Sequence, residues 1–253
     1  MREFEKPYSF LRSIGIYFII VFRQLPVFLL SFFMFVIIPS GLLYAAFYFF
    51  PELFRDRYLV LAGVQALLVF FFFEFSGMCR ESIDGKSYRI FSGFGKNIFS
   101  VLSAAVITFA FSVTIQALSE ILAALMPNFE FSDMIIIIIT KLFFLVLPAA
   151  VYAISRKNDL KSSFGIAVKF LRENLGKVML LGVVILILSV FGAGVIVGVL
   201  RLQLPDIGDN TRLILIFLIG HFFTAFLHPV MAVTFVKVSQ YEDIELKDPL
   251  IKE

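Results

Sequence analysis

Apolar residues fill most of the stretch from Ser100 to Glu120, and small or polar residues recur within it at every fourth position. Because a step of four residues keeps side chains on one slowly drifting face of an α-helix, this pattern predicts a long apolar helix with one narrow polar stripe. Such a helix is typical of a lipid bilayer, with its polar stripe turned towards other helices. The stripe consists of Ser100, Ala104, Thr108, Ser112, Gln116 and Glu120.

Further apolar runs have the length of about 20 residues that a membrane crossing needs. Together they predict an all-α, polytopic membrane protein with six transmembrane helices, at 26–50, 58–76, 98–126, 134–155, 178–200 and 213–236. A proline inside a helix removes one hydrogen bond and bends the chain. We therefore expect helix kinks at Pro39, Pro148 and Pro229.

The apolar runs form three hairpins, and a charged segment precedes each of them. We interpret these segments as interfacial amphipathic helices on the cytoplasmic side, the third with Leu160, Phe164, Val168 and Leu171 on one side. The layout predicts a single integral membrane domain with a threefold internal repeat. Its parts are repeat 1 at about 8–76, repeat 2 at about 77–155, repeat 3 at about 156–240 and a cytoplasmic tail at 241–253.

Composition supports the membrane class, because 60% of the 253 residues are hydrophobic and only 16% are charged. A soluble domain has roughly 45–50% apolar and 25% charged residues. Of the 22 lysines and arginines, four lie in the short loops within hairpins and seventeen lie on the other side of the membrane. The positive-inside rule then predicts cytoplasmic N- and C-termini. Basic segments at that face are expected to bind anionic lipid headgroups.

Polar residues within the apolar runs are the candidates for function. Gln65, Glu120, Lys141 and His221 lie at similar depth, roughly 9–14 Å from the outer helix ends at a rise of 1.5 Å per residue. An ionisable side chain at that depth is costly unless it is paired, so we expect these residues, with Gln116, to face the bundle interior. The simplest pair is Glu120 with Lys141. The cluster is either a structural ion pair with interhelical hydrogen bonds, or a polar pocket, proton relay or solute path.

Two further groups of residues are candidates for a role in bending or packing the helices. His221, Thr224 and His228 share one helix face, and His228 precedes Pro229, whose ring leaves a backbone carbonyl unpaired one turn earlier. Thr224 or His228 could satisfy such a carbonyl. Gly194 and Gly198 form a small-xxx-small pair, which lets a helix pack closely within the chain or against a second copy.

The sequence contains no nucleotide-binding loop, His-Glu zinc motif or serine nucleophile elbow. Two histidines, one carboxylate and a lysine make a poor set of metal ligands. Cys79 is the single cysteine, so no internal disulfide can form. We therefore expect no catalytic residue, no metal, no cofactor and no nucleic acid partner.

Several stretches carry a resemblance to known proteins: Gly77-Met78-Cys79-Arg80, residues 91–97, residues 147–151, residues 170–174 and residues 230–243. Through them the chain resembles uncharacterised six-helix proteins of the bacterial inner membrane, and its layout is similar to the membrane region of glycerophosphodiester phosphodiesterases. The resemblance implies topology and a bacterial inner membrane, and it transfers no catalytic residue.

From the sequence we expect a non-enzymatic accessory or scaffold protein of the cell envelope, acting through lipid, a second copy or another membrane subunit. The alternative is a small-solute or ion transporter that uses the polar layer. A third class is an intramembrane lipid-modifying enzyme that uses Glu120 and His221.

Overall fold

The computed structural model describes residues 11–50, 57–125, 132–157, 159–203 and 209–241. Within these ranges the regular elements are all helices, which confirms the all-α class. They are α1 (Arg12–Arg23), α2 (Leu25–Phe32), a π-helical segment (Phe33–Ile37), α3 (Ile38–Phe49), α4 (Arg57–Ile83), α5 (Phe94–Leu125), α6 (Ser132–Lys157), α7 (Leu160–Glu173), α8 (Leu175–Gln203), α9 (Asp209–Leu227) and α10 (Val230–Tyr241).

Among the described residues, five helical stretches are long and apolar enough to cross a membrane, so the chain has the architecture of a multi-pass membrane protein. They are Leu25–Ala46, Leu59–Ile83, Phe94–Leu122, Leu175–Val199 and Leu218–Val238. The helix predicted as the fourth crossing is α6, which is 26 residues long and contains a shorter apolar stretch, Leu142–Arg156.

Three prolines were expected to kink their helices, and each has a different outcome. Around Pro39 the helix is continuous but passes through the π-helical segment Phe33–Ile37 just before the proline. Pro148 lies inside α6, which continues through it. At Pro229 the helix is interrupted, because α9 ends at Leu227 and α10 begins at Val230.

The breaks before the first and third hairpins have nearly the same backbone geometry. Gln24 between α1 and α2 has φ −109° and ψ 26°, and Asn174 between α7 and α8 has φ −117° and ψ 22°. Each donates its N–H to the carbonyl four residues earlier, at 3.0 Å in both cases. Both side chains are buried. The similarity of the two break sequences therefore has a local structural counterpart.

The middle unit differs from the prediction. No interfacial helix lies between Gly77 and Asn97, because α4 continues to Ile83, residues 84–93 form a loop, and α5 begins at Phe94. The loop starts with a turn in which Gly85 has φ +78°, a conformation that glycine adopts without steric cost. Buried polar side chains from outside the loop form hydrogen bonds with its backbone. The backbone N–H and C=O groups in these bonds are therefore satisfied without a helix.

The core lies at the end of the bundle where α4 and α6 terminate, here called the basic end because Arg80 and Arg156 lie there. α4 is central, with consecutive phenylalanines buried on several sides of the helix, and α8 is peripheral. In an apolar stretch of 18 residues within α4, 61% of the residues are buried, against 19% in the corresponding stretch of α8. Tyr17 of α1 donates a hydrogen bond to the Phe226 carbonyl of α9, which ties the first helix to the core.

The buried face of α7 differs in part from the predicted one. Its fully buried residues are Ser163, Ala167 and Phe170. Leu160, Phe164 and Leu171 are partly buried beside them, as predicted, but Val168 is 56% exposed. At about 100° per residue, Val168 lies roughly 100° around the helix from Ala167 and 140° from Ser163. It therefore falls outside the arc of the helix that contacts the core.

Candidate functional site

The polar stripe of α5 faces the other helices along half of its length. Ala104 and Thr108 are fully buried, and Ser112 is 4% exposed. Gln116 is half-buried and Glu120 is exposed, so the stripe drifts outwards towards the end of the helix. This drift follows from the helical repeat of 3.6 residues, because a step of four advances the face by about 40° each time.

A pocket with a volume of about 200 Å³ lies beside the outer part of this stripe, between α4, α5 and α6. Its position is at the end of the bundle opposite the basic end, since Gln65 is near the start of α4 and Glu120 is near the end of α5. The lining residues are Gln65, Phe111, Ser112, Ile115, Gln116, Ser119, Glu120 and Thr140.

Two buried oxygen atoms in this pocket have no hydrogen-bond partner among the described residues, Ser112 Oγ and Gln116 Oε1. A buried hydroxyl in an apolar helix often bonds to the carbonyl one turn earlier, although Ser31 and Ser40 lack a described partner as Ser112 does. Thr108 makes that bond to Ala104 at 2.9 Å, and Ser189 makes it to Ile185 at 2.8 Å. The pocket therefore contains buried acceptors whose hydrogen-bonding capacity is unused.

The predicted ion pair has one described partner. Glu120 lines the pocket and its side chain is exposed. The side chain of Lys141 lies outside the described part of the structure, so the pairing of Glu120 with Lys141 stays a prediction. Thr140, the residue before it, does line the pocket.

The structure brings together only part of the predicted polar layer. Gln65, Gln116 and Glu120 meet at the pocket, whereas His221 is buried in α9, none of whose described side chains lines the pocket. Ser119 and Thr140 line the pocket although the sequence had not singled them out. Ser119 lies three residues after Gln116 and seven after Ser112, so helical spacing could have revealed it.

Thr224 and His228 belong to the break at Pro229. The Thr224 hydroxyl donates to the Gly220 carbonyl at 2.9 Å. Nδ1 of His228 lies 3.0 Å from the Thr224 carbonyl, which also accepts the His228 backbone N–H at 3.1 Å. The carbonyl that Pro229 leaves without its helical N–H is that of Ala225, four residues earlier. The contacts above use the Gly220 and Thr224 carbonyls, so the satisfaction of the unpaired carbonyl by Thr224 or His228 stays a prediction.

Four of the five glycines of α8 form two pairs with different surroundings. A Cβ atom at Gly182 would lie 2.6 Å from a Leu145 methyl carbon, and one at Gly192 would lie 2.2 Å from the Phe223 ring. Around Gly194 and Gly198 no atom of the described chain lies within 4 Å of such a Cβ. Among the described residues, close packing within the chain therefore occurs at Gly182 and Gly192 and not at Gly194 and Gly198, for which packing against a second copy stays a prediction.

A second polar group, missed by the sequence interpretation, lies at the basic end. The Gln24 amide donates to Ser82 Oγ at 3.1 Å and to the Lys86 carbonyl at 2.9 Å, and it accepts the Tyr88 N–H at 3.1 Å. Burial, and next the nearby Glu74 carboxylate, raise the pKa of the Tyr88 phenol. Tyr88 is therefore neutral at physiological pH. The hydrogen bonds of the Gln24 amide hold the loop in place.

Among the residues that the structure describes, no group of three His, Cys, Asp or Glu side chains is arranged to hold a metal ion. Cys79 is fully buried in α4. Comparisons of the chain with models of protein families, with curated proteins and with solved structures found no match.

Proposed function

We propose that this chain is a non-enzymatic integral membrane protein that acts as an accessory or scaffold component of the cell envelope. It works through contacts of its helices with lipid, a partner subunit or a second copy. The observation that carries the proposal is the surface of α8, which is largely exposed and carries Gly194 and Gly198 with open space above them.

Two small residues one turn apart allow the backbone of another helix to approach closely, and van der Waals packing then stabilises the pair within lipid. Gly182 and Gly192 make room within the chain for the side chains of Leu145 and Phe223. The exposed pair offers an equivalent surface to a helix of another chain. We therefore expect α8 to be the contact element.

The test is to replace Gly194 and Gly198 with isoleucine and to measure energy transfer between donor- and acceptor-labelled copies in lipid vesicles. We expect the double variant to lose association, because the added side chains separate the two backbones. Val195→Ile is the matched control, since Val195 is 60% exposed on the same helix. Equal association in the wild type, the control and the glycine variant would count against this role of α8.

Lipid contact is the second part of the proposal. Lys161, Lys169 and Arg172 are exposed on α7, a helix at the basic end. As an interfacial helix, α7 holds anionic headgroups there, with about 1 kcal/mol per basic residue near an anionic surface. Replacing all three with glutamine should remove the stabilisation that phosphatidylglycerol gives over phosphatidylcholine in nanodiscs. A matched control replaces Lys96, which is exposed at the start of α5.

For topology we propose six crossings, three repeated hairpins and cytoplasmic termini in a bacterial inner membrane, the layout that the resemblance implies. The support is the length of α6 together with the five apolar stretches. A cysteine at Asn128, in a Cys79→Ser background, should react with an impermeant reagent added outside intact cells. Labelling only after the cells are opened would indicate the opposite orientation, with the termini outside the cytoplasm.

The second candidate function is transport of a small solute or ion, and the pocket beside α5 favours it. We would measure stability in detergent for Glu120→Gln, Lys141→Met and the double variant. Unstable single variants with a restored double variant indicate a structural ion pair. Three stable variants that lose a flux or growth phenotype indicate transport.

A further inference from the structure

The pocket between α4, α5 and α6 contains two buried polar atoms without a partner in the described part of the chain, and has one carboxylate in its lining. Ser112 is more than nine-tenths buried, lines the pocket, and has an Oγ atom without a partner. Oε1 of Gln116 is a second buried acceptor without a partner. The Gln116 oxygen is satisfied only by a group that donates a hydrogen bond, whereas the Ser112 hydroxyl can donate or accept, and leaving either atom unsatisfied is costly.

Charge and shape narrow the class of ligand. Glu120 places a carboxylate at the exposed side of the pocket, which favours a positive charge. Phe111 and Ile115 line the pocket as well, so part of its wall is apolar. The Phe111 ring is stacked on Phe143 at 4.0 Å between centroids, which fixes this part of the wall. A volume of about 200 Å³ exceeds the roughly 30 Å³ that one water molecule occupies.

We infer that this pocket binds a small primary ammonium ion. Its N–H groups donate to Ser112 Oγ and Gln116 Oε1, Glu120 balances its charge, and its alkyl part contacts Phe111 and Ile115. An alkali metal ion would leave the apolar wall unused, and a quaternary ammonium ion has no N–H group for the two acceptors. The inference rests on the same pocket as the second candidate function, but binding does not require transport.

The test uses the purified full chain in nanodiscs and follows thermal unfolding with increasing methylammonium chloride. We expect methylammonium to raise the melting temperature above the value in equal concentrations of potassium chloride or tetramethylammonium chloride. Ser112→Ala, Gln116→Leu and Glu120→Gln should each weaken the apparent affinity about tenfold, the effect of losing one hydrogen bond or charge contact. An equal shift with potassium or tetramethylammonium would overturn the inference.

Thr114→Val is the matched control on the same helix, because Thr114 is exposed and its hydroxyl bonds to the Ala110 carbonyl of its own helix. Thr114→Val should leave the apparent affinity for methylammonium unchanged. Ser112→Ala removes a single oxygen atom, so its effect on binding can be separated from an effect on folding. Unchanged affinity in Ser112→Ala and Glu120→Gln would overturn the site. A rise in melting temperature with methylammonium that appears only in Lys141→Met would also overturn the site. It would mean that the ammonium group of Lys141 occupies the pocket in the wild type.

Flux separates the inference from the transport function. Methylammonium binding without uptake into proteoliposomes supports the site and rejects transport through it. Uptake that is unaffected by Ser112→Ala and Glu120→Gln overturns the site even if the protein transports the ion.

Discussion

The carboxylate of Glu74 accepts the backbone N–H of Phe91, at 3.3 Å from Oε1 and 3.2 Å from Oε2. Glu74 is fully buried in α4, and Phe91 has φ +62°, in the left-handed region that bulky side chains rarely adopt. The hydrogen bond therefore holds the loop between α4 and α5 in a conformation that its own backbone disfavours.

Glu74→Ala should lower the free energy of unfolding by about 1–3 kcal/mol, because the Phe91 N–H loses its acceptor. Glu74→Gln keeps one acceptor oxygen and should lose less. Hydrogen exchange at Phe91 should become faster in the alanine variant. Equal exchange in the wild type and in Glu74→Ala would show that the loop does not depend on this bond.

Gly77 is required by the packing of α4 against this loop. A Cβ atom there would lie 2.3 Å from the Tyr88 ring, and Tyr88 is itself buried. We expect Gly77→Ala to cost about 1–3 kcal/mol, as overpacking of a core does. Gly63→Ala is the control in the same helix, since no atom lies within 4 Å of its added Cβ, and thermal unfolding should show no loss there.

Gln24→Leu should destabilise the basic end by roughly 2–3 kcal/mol, because three hydrogen bonds to residues 82–88 are lost together. Ser82→Ala removes only one of those bonds and should cost about a third as much. Chemical unfolding of the two variants side by side provides the measurement. Similar losses in both would mean that the backbone contacts of Gln24 contribute little.

The first turn of α7 should depend on pH through Asp159, whose carboxylate accepts the Ser162 N–H at 2.8 Å. The hydrogen bond from the Ser162 side chain, and next the one from its backbone N–H, lower the pKa of Asp159 below its ordinary value of 3.8. The cap is therefore fully present above pH about 4, and it is lost as the pH falls through the lowered pKa.

Hydrogen exchange at Ser162 should increase below that pH in the wild type. In Asp159→Ala it should be fast at every pH, because alanine provides no cap. Asp159→Asn is the control, since asparagine caps helices without titrating. A pH response in the asparagine variant would assign the effect to another group.

The sequence alone determined the features that depend on hydropathy and helical period. The apolar runs indicated a multi-pass helical protein, because each run is long enough to satisfy its own backbone within lipid. The four-residue stripe of α5 placed Thr108 and Ser112 on the inward face, and both are buried. These features are local, since a helix forms its hydrogen bonds within one segment of the chain.

Only the tertiary structure decided which residues meet. It brought Gln65 together with Gln116 and Glu120 at the pocket but placed His221 elsewhere, in α9, although Gln65, Glu120 and His221 were predicted at similar depth. It also replaced the expected middle interfacial helix with a loop bound by Gln24 and Glu74, residues 64 and 17 positions away from their partners. The order of helices around the bundle determines such contacts, and hydropathy does not encode that order because the membrane-length helices are similarly apolar whether they lie at the centre or at the edge.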